Sequence, residues 1–138
     1  MPWVFSPHSG GRKIPKLVQE RTRQRIVDYA KRKYAGRFTR LDIRFRGQFC
    51  YIDAFTEPDL APGWPPRGWG ETRKEMIERL RQTPLHLCRL RYFGREDHWS
   101  LDFFTYSNEK YTPCAFRFGE FFGTPEEAFD MGSMYLRD

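Results

Sequence analysis

Apolar and polar residues alternate along three runs, 85–93, 98–106 and 111–118, separated by short polar breaks at 94–97 and 107–110. Alternation with period two in segments rich in aromatic and branched residues predicts strands, and breaks containing Gly or Ser-Asn predict hairpin turns. The result is a three-stranded antiparallel meander. Four-residue loops at both turns place Arg91 opposite Ser100, Arg89 opposite Asp102 and Phe103 opposite Cys114. Successive side chains point to opposite faces, so this register sorts them. One face takes Cys88, Leu90, Tyr92, Trp99, Leu101, Phe103, Cys114, Phe116 and Phe118 and is predicted core. The other takes Arg89, Arg91, Ser100, Asp102 and Arg117, with Phe104, Tyr106 and Tyr111 towards one end.

Upstream, residues 40–46 alternate with Leu41, Ile43 and Phe45 on one side, Gly47 makes a turn, and residues 49–55 return apolar on both faces. A strand apolar on both faces belongs in the interior of a sheet. Its one charged residue, Asp53, is expected near Arg40. Residues 15–35 predict a helix, with Pro15 at the first position and Gly36 in the left-handed conformation after the end. At about 100° per residue, Ile14, Leu17 and Val18 face away from Val27, Ala30 and Tyr34, so the helix either meets different neighbours along its length or bends. Thr72 with Glu75 and Thr124 with Glu127 have capping-box spacing and open two short helices. The order predicts an α+β fold: one antiparallel sheet of about five strands, a hairpin plus a three-stranded meander, with helices mainly on one face. Residues 1–13 are expected as a loose arm before a single domain, 14–138. That domain carries one Pro-, Trp- and Gly-rich loop at 56–71.

The pair Arg91-Tyr92, then Trp99, then Tyr111, with Ile14-Pro15 before the first helix, resembles the pattern of a small uncharacterised bacterial domain family. The resemblance covers these islands and excludes the Trp-rich loop. It implies one compact domain and brings no activity with it.

Composition narrows the class. In 138 residues, 30% are charged and mean hydropathy is -0.77, with no apolar run approaching a membrane span and no signal-like apolar core near the start. A cytoplasmic protein without a membrane partner is expected. Cys50, Cys88 and Cys114 are an odd number lying inside strand patterns, so they read as reduced small hydrophobes. The net charge is +6, but ten basic residues against two acidic ones give residues 12–37 a charge of +8, leaving -2 on the rest. Such a cluster suits a polyanion, although Lys31, Arg32 and Lys33 also oppose the negative end of the helix dipole.

No motif for catalysis stands out. His86 and Cys88 share a predicted face, but no Cys-x-x-Cys or His-x-x-x-His spacing accompanies them, so neither a metal nor another cofactor is expected. Asp42, Asp53, Glu57, Asp59 and Asp102 have ordinary arginine partners nearby, and Gly68-Trp69-Gly70 lacks the lysine of a phosphate loop. The chain therefore reads as a non-enzymatic binding module for nucleic acid, single-stranded or non-specific, or another polyanion. Its candidate residues are Arg21, Arg25 and Arg32 on the helix and Arg89, Arg91, Arg117, Tyr106 and Tyr111 on the sheet. One alternative is a protein-interaction or assembly module using Trp64, Arg67 and Trp69; otherwise the two tryptophans fold back over the sheet edge or an end of the core, with the Pro65-Pro66-Arg67 tip exposed. The other is an enzyme without a recognisable motif.

Overall fold

The computed structural model describes residues 9–136. Helix α1 (Lys16–Lys33) leads into β1 (Arg40–Arg46) and β2 (Phe49–Phe55), α2 (Arg73–Arg81) follows the long loop, and β3 (Leu85–Tyr92), β4 (Trp99–Thr105) and β5 (Lys110–Cys114) precede α3 (Pro125–Gly132). The five strands form one antiparallel sheet in sequential order, β1-β2-β3-β4-β5, so the fold is α+β. Helices α1 and α3 pack on one face. There Ile43, Cys50, Ile52, Cys88, Leu90, Trp99 and Leu101 meet Ile26, Ala30, Ala128 and Phe129 in one buried cluster. Both capping boxes form: Thr72 and Glu75 exchange hydrogen bonds at α2, as do Thr124 and Glu127 at α3.

Buried positions on α1 run Val18, Thr22, Ile26, Ala30 at a spacing of four, and Tyr34 continues the line beyond the helix. A spacing of four residues drifts by roughly 40° per step, so the line winds around the helix. Of the two expected behaviours, contact with different neighbours is the one observed. Arg23 donates to the Ile43 carbonyl of β1 and covers Phe45, while the Tyr34 ring meets Phe129 of α3 at 5.3 Å. The line escapes an apolar count because one member is a threonine, and Leu17, counted as apolar, is exposed.

The first meander hairpin keeps the expected register, with Arg91 opposite Ser100 and Arg89 opposite Asp102. The second is displaced by two residues. Thr105 pairs with Lys110, Phe104 with Tyr111 and Leu101 with Cys114, so the four-residue loop begins at Tyr106, with Glu109 at φ 52°. Tyr106 leaves the ladder because its hydroxyl accepts the His86 amide at 2.7 Å. A slip of two preserves faces but moves neighbours. Arg117, expected beside Ser100, instead lies in a 3-10 turn beyond the end of β5. Phe118, expected in the core, is 88% exposed at φ 71°. The cause is Gly123, which exchanges two backbone hydrogen bonds with Trp99 and occupies the place that an extended β5 would need.

The β2–β3 pairing contains the other departure. Ile52 faces Cys88, but Asp53 faces His86, so Leu87 is an extra residue, a β-bulge. His86 and Cys88, expected on one face, therefore point to opposite faces. Asp53 stands opposite Asp42 in β1 and bonds Arg44 and His86 rather than Arg40, whose guanidinium lies over Phe55. Of the expected loose arm, residues 1–8 lie outside the described residues. The remainder is tied to the sheet, with the Arg12 amide donating to the Tyr92 carbonyl and Arg91 donating to the Gly10 carbonyl.

Candidate nucleic-acid interface

The face of the sheet opposite α1 and α3 is built by alternation. Arg40, Asp42, Arg44 and Arg46 of β1 stand beside Phe55, Asp53, Tyr51 and Phe49 of β2, and Arg89 and Arg91 of β3 continue two of these rows into Asp102 and Ser100 of β4. Rings run across it in contact. Phe49 to Tyr51 is 6.0 Å between centroids, Tyr51 to Tyr111 5.6 Å, Tyr111 to Phe104 5.2 Å and Phe104 to Tyr106 4.8 Å. Guanidinium groups lie over these rings, Arg89 at 4.1 Å from Phe49 and 5.0 Å from Tyr111, Arg91 at 4.7 Å from Phe49 and Arg44 at 5.5 Å from Tyr51. Planar cations over aromatic faces are mutually attracted, and the arrangement holds both kinds of group in a fixed layer.

Beneath the layer two carboxylates are buried, Asp53 at 2% exposure and Asp102 at 3%. Each has its charge met. Arg89 donates to Asp102 at 2.7 and 2.8 Å, and Asp53 accepts from Arg44 and His86, both at 2.9 Å. Burial without such partners would cost several kcal/mol. Five arginines against three aspartates leave the face positive. Arg91 is held between Phe49 and the Gly10 carbonyl; burial lowers its pKa, and its Nε finds no hydrogen-bond partner among the described residues. Burial raises the phenol pKa of Tyr111, and it raises that of Tyr106 against the opposing bond from the His86 amide.

The expected site residues separate into two groups. Arg89, Arg91, Tyr106 and Tyr111 lie on this face. Those of the helix are committed elsewhere: Arg21 forms a bidentate pair with Glu96, and Arg25 a bidentate pair with Glu126 plus a contact to Asp97 at 2.8 Å, while Arg32 lies over the Tyr29 ring. Arg117 covers Phe118 off the sheet. Asp130 of α3 gathers Lys33, Tyr29 and Tyr34. Burial pushes its carboxyl up, but bonds from Tyr34, Tyr29 and Lys33 hold it below its ordinary value. The basic helix is thus stitched to the β3–β4 turn and α3.

Trp64 and Trp69 do not join the core cluster. They meet one another at 5.1 Å and remain 41% and 54% exposed. Their loop is braced by Arg73, which donates to the carbonyls of Leu60, Ala61 and Trp64. Arg67 lines a cavity of about 360 Å³ beside Trp69. A second cavity of about 450 Å³ opens between Phe38, Leu60, Leu80, Leu85 and Tyr135.

Phe49, Tyr51, Arg44, Asp53 and His86 belong to the face without having been expected there. For His86 a signal exists: Leu85 and Leu87 share one parity, whereas Cys88, Leu90 and Tyr92 follow the other, and this break of phase marks the bulge. Among the described residues no three His, Cys, Asp or Glu side chains gather as a metal would need, and no helix is long and apolar enough to cross a membrane. No protein-family model, curated protein or solved structure matches the chain.

Proposed function

We propose that the protein binds single-stranded nucleic acid on the open face of its sheet. The observation that carries this reading is the run of rings from Phe49 through Tyr51, Tyr111 and Phe104 to Tyr106, interleaved with Arg44, Arg89 and Arg91 on the face opposite α1 and α3. Every base has a π-face, so such a platform takes a strand with little regard to sequence, and the arginines draw the phosphates towards it. Duplex is a poor fit, because its bases are stacked on each other. Short fluorescent strands of DNA and RNA, titrated at two salt concentrations, test the proposal. The expected result is binding that weakens with salt, with Tyr51→Ala/Tyr111→Ala reducing affinity at least tenfold, the order implied by roughly 1–3 kcal/mol per stacked base. Full affinity in a folded double variant removes the sheet face from the site.

A second reading is supported by one feature, the exposed pair Trp64 and Trp69 on a braced loop, which offers a protein partner two large apolar anchors. A partner retained at high salt and lost in Trp64→Ala would distinguish it.

A further inference from the structure

His86 stands beside Asp53 on the open face, and its placement depends on the bulge at Leu87. Without that extra residue it would face the helices beside Cys88. Bulges recur next to active sites, where they re-aim a side chain. Here the re-aimed ring meets the buried Asp53: Nδ1 lies 2.9 Å from Oδ1, while Oδ2 accepts from Arg44. A carboxylate that already accepts from a guanidinium leaves Nδ1 to donate, which fixes the tautomer and turns the lone pair of Nε2 outward. Nε2 makes no hydrogen bond among the described residues, and the side chain is one-third exposed. The backbone is held as well, since the His86 amide donates to Tyr106, and the ring sits 4.6 Å from Phe104 with Tyr106 stacked beyond it at 21°. A histidine needed only to neutralise Asp53 would be redundant with Arg44 and would not require an open Nε2.

We propose that the Asp53–His86 dyad is a general base acting on single-stranded RNA held on this face, an inference that rests on the binding reading above. The chemistry follows from what surrounds the ring. Its neighbours are Asp53 and the rings of Phe104, Tyr106 and Tyr111, so the nucleophile comes from the substrate. The 2′-hydroxyl of the ribose is that nucleophile. Nε2 takes its proton, the 2′-oxygen forms a bond to the adjacent phosphorus, and the bond from phosphorus to the 5′-oxygen breaks. The departing oxygen takes a proton from water and the imidazolium returns its own to solvent, so the products are a 2′,3′-cyclic phosphate and a 5′-hydroxyl with no co-reactant consumed. Arg44 bonds the same Asp53 yet stays half exposed, so its guanidinium shares the face with His86 and opposes the charge that develops on the phosphate. Asp53 acts through His86 and is a positioning residue.

The test compares one short sequence as RNA, as 2′-O-methyl RNA and as DNA, with the full chain in saturating excess so that the rate reports the bound strand. The expected result is cleavage of RNA alone, leaving cyclic phosphate ends, with the other two strands bound and intact. His86→Ala lowers the rate roughly a hundredfold or more, the range of general base catalysis, and added imidazole restores part of it. His86→Gln, which retains a hydrogen bond to Asp53, shows the same loss and guards against a folding defect. Strands that bind without RNA cleavage overturn the dyad and leave the platform standing, as does wild-type cleavage in His86→Ala. Failure of all three strands to bind overturns the platform and the dyad together.

Discussion

Thr22 sits in the middle of the buried line of α1 with its side chain fully enclosed, and its Oγ1 finds no hydrogen-bond partner among the described residues. A buried hydroxyl without a partner retains its desolvation cost, whereas a methyl group of the same shape gains from the same surroundings. Thr22→Val is expected to stabilise the fold by about 1 kcal/mol, read as a higher midpoint in chemical denaturation with an unchanged slope. A lower midpoint would show that the hydroxyl is bonded in solution. The same scale explains why α1 looked irregular as a sequence. A count of apolar residues includes Leu17, which faces solvent, and omits Thr22, which does not. Hydrophobicity and burial diverge at both positions because packing against β1 and α3 selects by direction and volume.

At the level of elements, the important contact joins α3 to the bulge of β3. Gly132 ends α3 against Leu87, and a Cβ placed there would lie 3.0 Å from the Leu87 Cβ and carbonyl oxygen and 3.1 Å from its carbonyl carbon. Two of these atoms are backbone and cannot swing aside. Gly132→Ala is therefore expected to destabilise by about 1–3 kcal/mol, the usual range for overpacking. Because Leu87 is the extra residue that turns His86 outward, the same variant should shift the imidazole resonances of His86 in NMR spectra. Unchanged stability and unchanged resonances would show that the helix and bulge move apart freely. Strands β1 to β4, the turns at Gly47 and at 94–97, and both capping boxes follow from local pattern, since each depends on residues within a few positions of one another. The register of the second hairpin does not, because Tyr106 is drawn out of the ladder by an amide twenty residues earlier in the chain.

For the whole molecule, the fate of the basic segment matters most. Arg25 is 101 residues from Glu126 and 71 from Glu96, and it binds both, together with Asp97, so one guanidinium joins α1, the β3–β4 turn and α3. Arg25→Met is expected to lower stability by about 1–2 kcal/mol, a partly exposed network being worth less than a buried one. Affinity for a single strand should not change, and a tenfold loss in the folded variant would return α1 to the site. By itself the sequence determined the class of fold, the alternating faces, the interior place of β2 and the two capped helices, because backbone geometry imposes its periods wherever the chain goes. It also placed Arg89, Arg91 and Tyr111 on one face, since the stretches of strand that bear them alternate in phase with their neighbours, whereas Tyr106 reaches that face from the loop. Only the tertiary structure decided that Arg21 and Arg25 are spent on distant carboxylates, that Arg117 leaves the sheet, and that His86 meets Asp53. Those outcomes depend on how layers dock and where a strand gains one residue, and charge or periodicity along a chain carries no record of which distant partner will arrive.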